Sequence, residues 1–208
     1  MDKKEQTIKQ ATECYEKPLN RIFIVEPTEE DFEQAARAIK ALNPLMIGLD
    51  TKTQQGSSMA SVVTLGLSGG PTYIFPVKQY SDNHENMSDQ LKAVLQTPHI
   101  IKCTFDTVAR SQALRNYGIT LDGCIDIRCT ARVRGFRKTG VEGLTAALFR
   151  TAYHRHPHKR QRKKYMQAKW EEKISSNMAE YVASRAHLTI RIYVALCELP
   201  IQPYQPSG

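Results

Sequence analysis

Between Leu45 and Val77 the chain carries three β-rich runs in succession, "LMIGLDT", "SVVTLGLS" (Ser61 to Ser68) and "TYIFPV" (Thr72 to Val77), with Gly69-Gly70-Pro71 between the last two. A Gly-Gly-Pro sequence supplies the backbone freedom and the fixed φ that a tight reversal needs, so these runs read as a small β-meander. In the first run Leu45, Met46, Ile47 and Leu49 look like a buried strand that delivers Asp50 at its end, with Lys52 two residues on. Residues two apart share a face of a strand. Asp50 and Lys52 are therefore presented together.

Helical patterns surround the meander. "RIFIVE" (Arg21 to Glu26) is a short β-rich run, and "TEEDFEQAARAIKAL" follows it with Thr28 as a cap, acids at Glu29, Glu30 and Asp31, and apolar residues at Phe32, Ala35, Ala36, Ile39 and Leu42. Asn43-Pro44 stops that helix. Further on, "MSDQLKAVLQT" has Ser88 as a cap, "HIIKCTF" is a short strand, and "VARSQALRNYG" is a helix closed by Gly118. "CIDIRCTARVRG", "VEGLTAALFRTAY" and a long helical pattern from Ser175 or Ser176 to Leu199 complete the order. Strands alternating with helices in this way predict an α/β fold, a mixed β-sheet flanked by helices on both faces.

At 208 residues and 41% hydrophobic content, one domain is expected, able to bury a core without disulfides or metal. Five cysteines without a Cys-x-x-Cys pair argue for reduced thiols, and the absence of a long apolar run argues for a cytoplasmic or nuclear protein that is not secreted and has no membrane partner. His84, His99 and His187 have no ligand spacing, so no zinc site and no cofactor are expected. Trp170, the only tryptophan, reads as a packing anchor for the final helices.

The net charge is +8, which favours an anionic partner. Much of it is concentrated in "HRHPHKRQRKK" (His154 to Lys164), where Arg155, Lys159, Arg160, Arg162, Lys163 and Lys164 stand among three histidines with no acid. Phosphate contacts, a nuclear-import signal and a solvated loop are all compatible with such a run. The expected organisation is a polar segment over 1–20, a domain over 21–199 with this basic insertion at 154–164, and a tail over 200–208.

Four separated segments together resemble the 3′-5′ exonuclease domain of the ribonuclease D and Werner-exonuclease type, which has a ribonuclease-H-like fold. "IGLDTKT" is similar to the family's strand-borne Asp-x-Glu motif. "IIKCTFDTVARSQALRNYGITL" is similar to its second motif, a strand followed by an Asp-bearing helix. "CIDIRCTARVRG" with "VEGLTAAL", and "KWEEKISSNMAEYVASRAHLTIRIYVAL", resemble its Asp-Thr and Gly-Leu-x-x-Leu helices and its final Tyr-x-x-x-Asp segment. The resemblance implies two-metal phosphodiester hydrolysis, with four carboxylates holding two Mg²⁺ or Mn²⁺ ions about 4 Å apart. It also implies a tyrosine that orients the attacking water.

This sequence departs from that pattern at the motif positions. Asp50 stands at the first carboxylate, but Lys52 replaces the Glu. The second-motif Asp falls on Ala109 or a neighbour, with Asp106 a displaced substitute at best. Tyr181 matches the tyrosine, while Arg185 replaces the final Asp. The family's four negative charges become 0 or +1, depending on whether Asp106 reaches the site. Lys52 or Arg185 is expected to pair with Asp50 in place of a metal. Asp126 reads most simply as a helix cap.

The reading that results is a catalytically inactive exonuclease-like domain acting as an RNA-binding and adaptor module. Single-stranded RNA and a protein partner or homodimer are its expected partners. Inactive relatives of this type serve as adaptors in germline small-RNA (piRNA) pathways. Two alternatives stay open: a protein scaffold or dimerisation domain without nucleic-acid affinity, and a residual nuclease built on Asp50, Asp106 and Asp126.

Overall fold

The computed structural model of the chain describes residues 21–83, 87–149, 165 and 168–201. The basic run at 154–164, with all six of its candidate phosphate-binding residues, and His84 lie outside the described residues.

Six strands form one mixed sheet in the order β1-β4-β3-β2-β5-β6. β2 (Met46–Thr53), β3 (Ala60–Leu67) and β4 (Thr72–Phe75) are the antiparallel meander. β1 (Ile22–Ile24) adds parallel to β4 on one side. β5 (Ile101–Thr104) adds parallel to β2, and β6 (Cys124–Asp126) parallel to β5. Every residue of β3 is buried because both faces of the sheet are covered.

Side-chain alternation sorts the two faces. On one, Ile47, Leu49, Val63 and Leu65 pack against Phe32 and Ile39 of α1 (Glu29–Ala41) and against Leu91 and Val94 of α3 (Asp89–Gln96). Thr28 caps α1 by accepting the Asp31 N–H, and Ser88 caps α3 by accepting from Leu91 N–H. On the other face, two clusters form. Ile127 of α5 (Ile127–Arg132) and Leu144 of α6 (Val141–Phe149) meet Leu188, Ile192 and Leu196 of α7 (Ser176–Cys197). Val62 and Ile74 meet Trp170, Tyr181 and Val182. Trp170 is buried there and donates its indole N–H to the Tyr165 carbonyl at 2.9 Å, which satisfies its one polar group. It is the packing anchor its sequence position suggested.

Three local expectations need correction. Leu45 precedes β2 and is exposed, so the buried stretch starts later than the apolar run. Leu42 is the C-cap of α1 and is also exposed, because the helix ends before its stripe comes round again. The strand at "TYIFPV" stops at Phe75. Pro76, which cannot donate to a ladder, instead leads into α2 (Val77–Asn83), where its carbonyl accepts the Tyr80 N–H and Tyr80 stacks on Phe32. α4 (Thr107–Arg115) follows β5, and Gly118 closes it at a φ of 67°.

Candidate functional site

A pair of glycines sets the site. Gly48 of β2 and Gly66 of β3 are register partners across the antiparallel ladder, on the face that α7 covers. With no side chains there, α7 comes down onto the backbone: a Cβ at Gly48 would lie 1.9 Å from the Ala186 carbonyl oxygen, and one at Gly66 would lie 3.1 Å from the Ala186 Cβ. Arg185, the residue before Ala186, is thereby brought over the next same-face positions of β2, which are Asp50 and Lys52.

Asp50 is almost wholly buried, with its side chain 4% exposed, and three cations converge on it. Lys52 Nζ donates to Oδ2 at 2.6 Å, and Arg185 Nε donates to the same oxygen at 3.1 Å. Arg110 of α4 donates through one terminal nitrogen to Oδ1 at 3.0 Å, and through the other to the carbonyl and the hydroxyl of Thr51, each at 2.9 Å. The three cationic side chains are 15%, 18% and 17% exposed, so these are pairs largely removed from water. Lys52 Nζ also stands 5.1 Å from the ring centroid of Tyr181, itself buried and stacked on Tyr165 at 4.7 Å.

Both expected partners of Asp50, Lys52 and Arg185, are present, and Arg110 is one that sequence reasoning missed. The second-motif position placed at Ala109 is exposed on α4, and Ala109 contributes only its backbone N–H, donated to Asp106. The next residue lies about 100° further round the helix and faces the sheet. A basic residue one position from the expected carboxylate was the available signal. Distinguishing it required the helix phase.

Asp106 does not join Asp50. It holds a left-handed conformation at φ 64°, caps α4 and pairs with Arg128 at 3.0 Å. Asp126 caps α5, accepts the Thr107 N–H at 3.0 Å and shares the same Arg128 at 3.1 Å. The expected cap role of Asp126 is therefore joined by a tie to α4. Among the described residues, no group of three or more His, Cys, Asp or Glu side chains is arranged to hold a metal ion.

Burial alone would push the Asp50 carboxyl up, but Lys52, Arg185 and Arg110 together outweigh it and hold the group well below the usual carboxylate range. Burial pulls the Lys52 ammonium down to about 7. Asp50 opposes that fall, while Arg185 and Arg110 add to it. The cluster is thus overcharged as well as paired, one carboxylate against two guanidiniums and an ammonium whose proton is held only weakly.

The model of the 3′-5′ exonuclease domain matches residues 23–199. This chain belongs to the 3′-5′ exonuclease family. Among solved structures it is similar to Escherichia coli RNase D, with a TM-score of 0.66 at 17% identity over 85% of this chain and 44% of that one. Trypanosoma brucei RNase D gives 0.68 at 15% identity over 87% and 66%, and the catalytic core of RRP6 from the same organism gives 0.65 at 18% over 84% and 46%. At these identities the likeness speaks for the fold, and the chain spans less than half of the E. coli RNase D chain. No curated protein sequence matches it significantly. The α/β fold with a mixed sheet expected from the order of elements, and the ribonuclease-H-like fold that the resemblance implied, are the ones observed.

Proposed function

We propose that this member of the family is a catalytically inactive 3′-5′ exonuclease domain that binds single-stranded RNA and serves as an adaptor, in complexes of the germline small-RNA (piRNA) kind. The observation that carries the reading is Asp50 held by Lys52, Arg110 and Arg185. A hard divalent cation needs several oxygen ligands, and here both oxygens of the one central carboxylate already accept from cationic donors. A dication brought beside the two guanidiniums of Arg110 and Arg185 meets repulsion of several kcal/mol at intermediate dielectric, roughly 4 kcal/mol for each unit pair at 4 Å, and Lys52 adds to it wherever it is protonated. The donor set does not fit Mg²⁺ or Mn²⁺. A cleft that has lost its carboxylates is also less repulsive to phosphate.

RNA is favoured over DNA because E. coli RNase D, which shares the fold, is an exoribonuclease involved in structured RNA processing. In this reading the basic residues of 154–164 supply further contacts to phosphates. Time-resolved gels with labelled RNA and DNA in Mg²⁺ and Mn²⁺ test the catalytic half, and no shortening is expected. Fluorescence anisotropy with a short single-stranded RNA at two salt concentrations tests the binding half. Processive shortening lost on Asp50→Asn would overturn the inactive reading. No binding at low salt would leave a scaffold without nucleic-acid affinity.

A further inference from the structure

β1 is an edge strand, and no strand among the described residues pairs with its outer side. Its ladder to β4 fixes which backbone groups are left over. The Thr72 N–H donates to the Arg21 carbonyl and the Val25 N–H to the Ile74 carbonyl, each at 2.9 Å. By the alternation of a parallel ladder, Arg21, Phe23 and Val25 then turn their polar groups toward β4, while Ile22 and Ile24 turn theirs outward. Of the usual devices that blunt an edge, Ile22–Ile24 has its shortness but no charge, proline or bulge. Both faces of the sheet also end half-covered here. Phe23, stacked on Tyr73 on the α1 face, is 44% exposed, and Ile24 on the α7 face is 42% exposed. Beside Ile24 lies an open groove of about 540 Å³, with Val25, Pro27, Pro76 and Ile174 as its apolar lining. Gln79 of α2 fixes one wall by donating to the Glu171 and Glu172 carbonyls at 3.1 and 2.9 Å. The charges of the groove do not balance within it. Glu172 pairs with Lys169 at 2.8 Å, but Glu26 and Glu171 enter no ion pair and share the lining with one ammonium, Lys173. A chain of net charge +8 keeps a local negative excess beside its open edge.

We infer that this edge docks an extended peptide segment of a protein partner, added as a strand on β1, with a Lys or Arg side chain laid in the groove. The inference rests on the adaptor half of the reading above and is independent of RNA binding. The outward N–H and C=O groups of Ile22 and Ile24 supply the main-chain bonds. In strand addition of this kind such bonds give affinity, and alternate side chains give specificity. A residue of the added strand opposite Ile24 points to the same face as Ile24, toward the groove. A long basic side chain suits both halves of the lining there, its aliphatic stem on Ile24 and Ile174 and its cationic head at Glu26 or Glu171. The next residue of the strand points to the other face, where an apolar group covers Phe23. The segment selected is one that alternates basic and apolar residues.

The test titrates the full chain with short fluorescent peptides: one alternating arginine with valine, one alternating glutamate with valine, and an N-methylated form of the first that cannot donate main-chain bonds. The arginine peptide should bind and slow amide exchange at Ile22 and Ile24, and its N-methylated form should not bind. It should bind roughly fivefold tighter than the glutamate peptide, about what two exposed ion pairs supply. The overall charge of +8 favours the acidic peptide, so this order cannot come from long-range attraction. Glu26→Gln combined with Glu171→Gln should remove the preference and leave the exchange protection in place. Equal or tighter binding of the glutamate peptide, or a preference that survives the double variant, overturns the basic partner. Binding without new protection at Ile22 and Ile24 overturns strand addition. Protection of both amides before any peptide is added also overturns the partner as occupant: a second copy holds the edge if that protection grows with protein concentration, and a segment of the same chain if it does not. No binding of any peptide, with RNA binding intact, overturns the docking edge and leaves the RNA reading standing.

Discussion

Arg185 and Asp50 lie 135 residues apart in the sequence and meet inside the protein, Nε to Oδ2 at 3.1 Å. Their meeting depends on a third position, Gly48, whose missing side chain lets α7 rest against β2 at Ala186.

Gly48→Ala is therefore expected to be among the most damaging single changes outside the cluster. Its methyl meets backbone, not a side chain that can swing away, and overpacking of this kind costs about 3 kcal/mol or more. Gly66→Ala meets the Ala186 Cβ at 3.1 Å and should cost less. Urea unfolding of both variants measures the order, and a Gly48→Ala protein as stable as the parent would show that α7 is not seated as described.

The two ends of the shortest pair within the cluster, Lys52 and Asp50, should respond unequally. Asp50→Asn leaves three largely buried cations uncompensated and should cost about 3 to 5 kcal/mol. Lys52→Met leaves Asp50 with two arginines and relieves repulsion among the cations, so its cost should stay near 1 kcal/mol or below. Chemical denaturation of the two variants side by side gives the comparison. Equal losses would mean that Lys52 alone neutralises the carboxylate.

Stability should rise with pH across two separate windows. The Lys52 ammonium is lowered from 10.5 to about 7, so between those values the unfolded chain binds more protons than the folded one and raising the pH favours folding. Asp50 is lowered too. Its contribution is fully present above the ordinary carboxylate value of 3.8 and is lost as the pH falls below that toward its folded value. Unfolding free energies measured from pH 3 to pH 10 should show both rises, each no steeper than about 1.4 kcal/mol per pH unit. Lys52→Met should remove the upper rise and spare the lower one.

Reversing the charges should require three changes. With Lys52→Glu and Arg185→Asp, Arg110 still occupies Oδ1 of Asp50, so titration calorimetry with Mn²⁺ should show little binding and gels no RNA shortening. Adding Arg110→Asp brings the number of carboxylates to four and should make Mn²⁺ binding measurable. Strong binding by the double variant would show that Arg110 yields its place readily, or that Asp106 leaves Arg128 to act as a ligand.

Salt dependence tests the basic run. Should Arg155, Lys159, Arg160, Arg162, Lys163 and Lys164 hold phosphates, log affinity for single-stranded RNA falls with log salt by about 0.7 per contact. Replacing three of the six by Ala should flatten the slope by about two units and weaken unrelated sequences alike. An unchanged slope would assign the run to another task.

Local chemistry alone determined a good part of this protein. Thr28, Ser88 and Ser175 announced helix starts because a cap acts within three residues, and Gly69-Gly70-Pro71 announced its turn for a similarly short-range reason. The order and spacing of the motif segments were enough to identify the family, and strand periodicity alone put Lys52 beside Asp50. Only the tertiary structure decided the rest. Whether Ala109 or Arg110 entered the site depended on the phase of α4 against β2, and a shift of one residue on a helix turns a side chain by about 100°. Asp106 was drawn to Arg128 by the way α4 meets α5. The three-to-one excess of cations around Asp50 came from elements far apart in the chain, β2, α4 and α7, and charges so separated in sequence acquire a common energy only when packing removes the water between them.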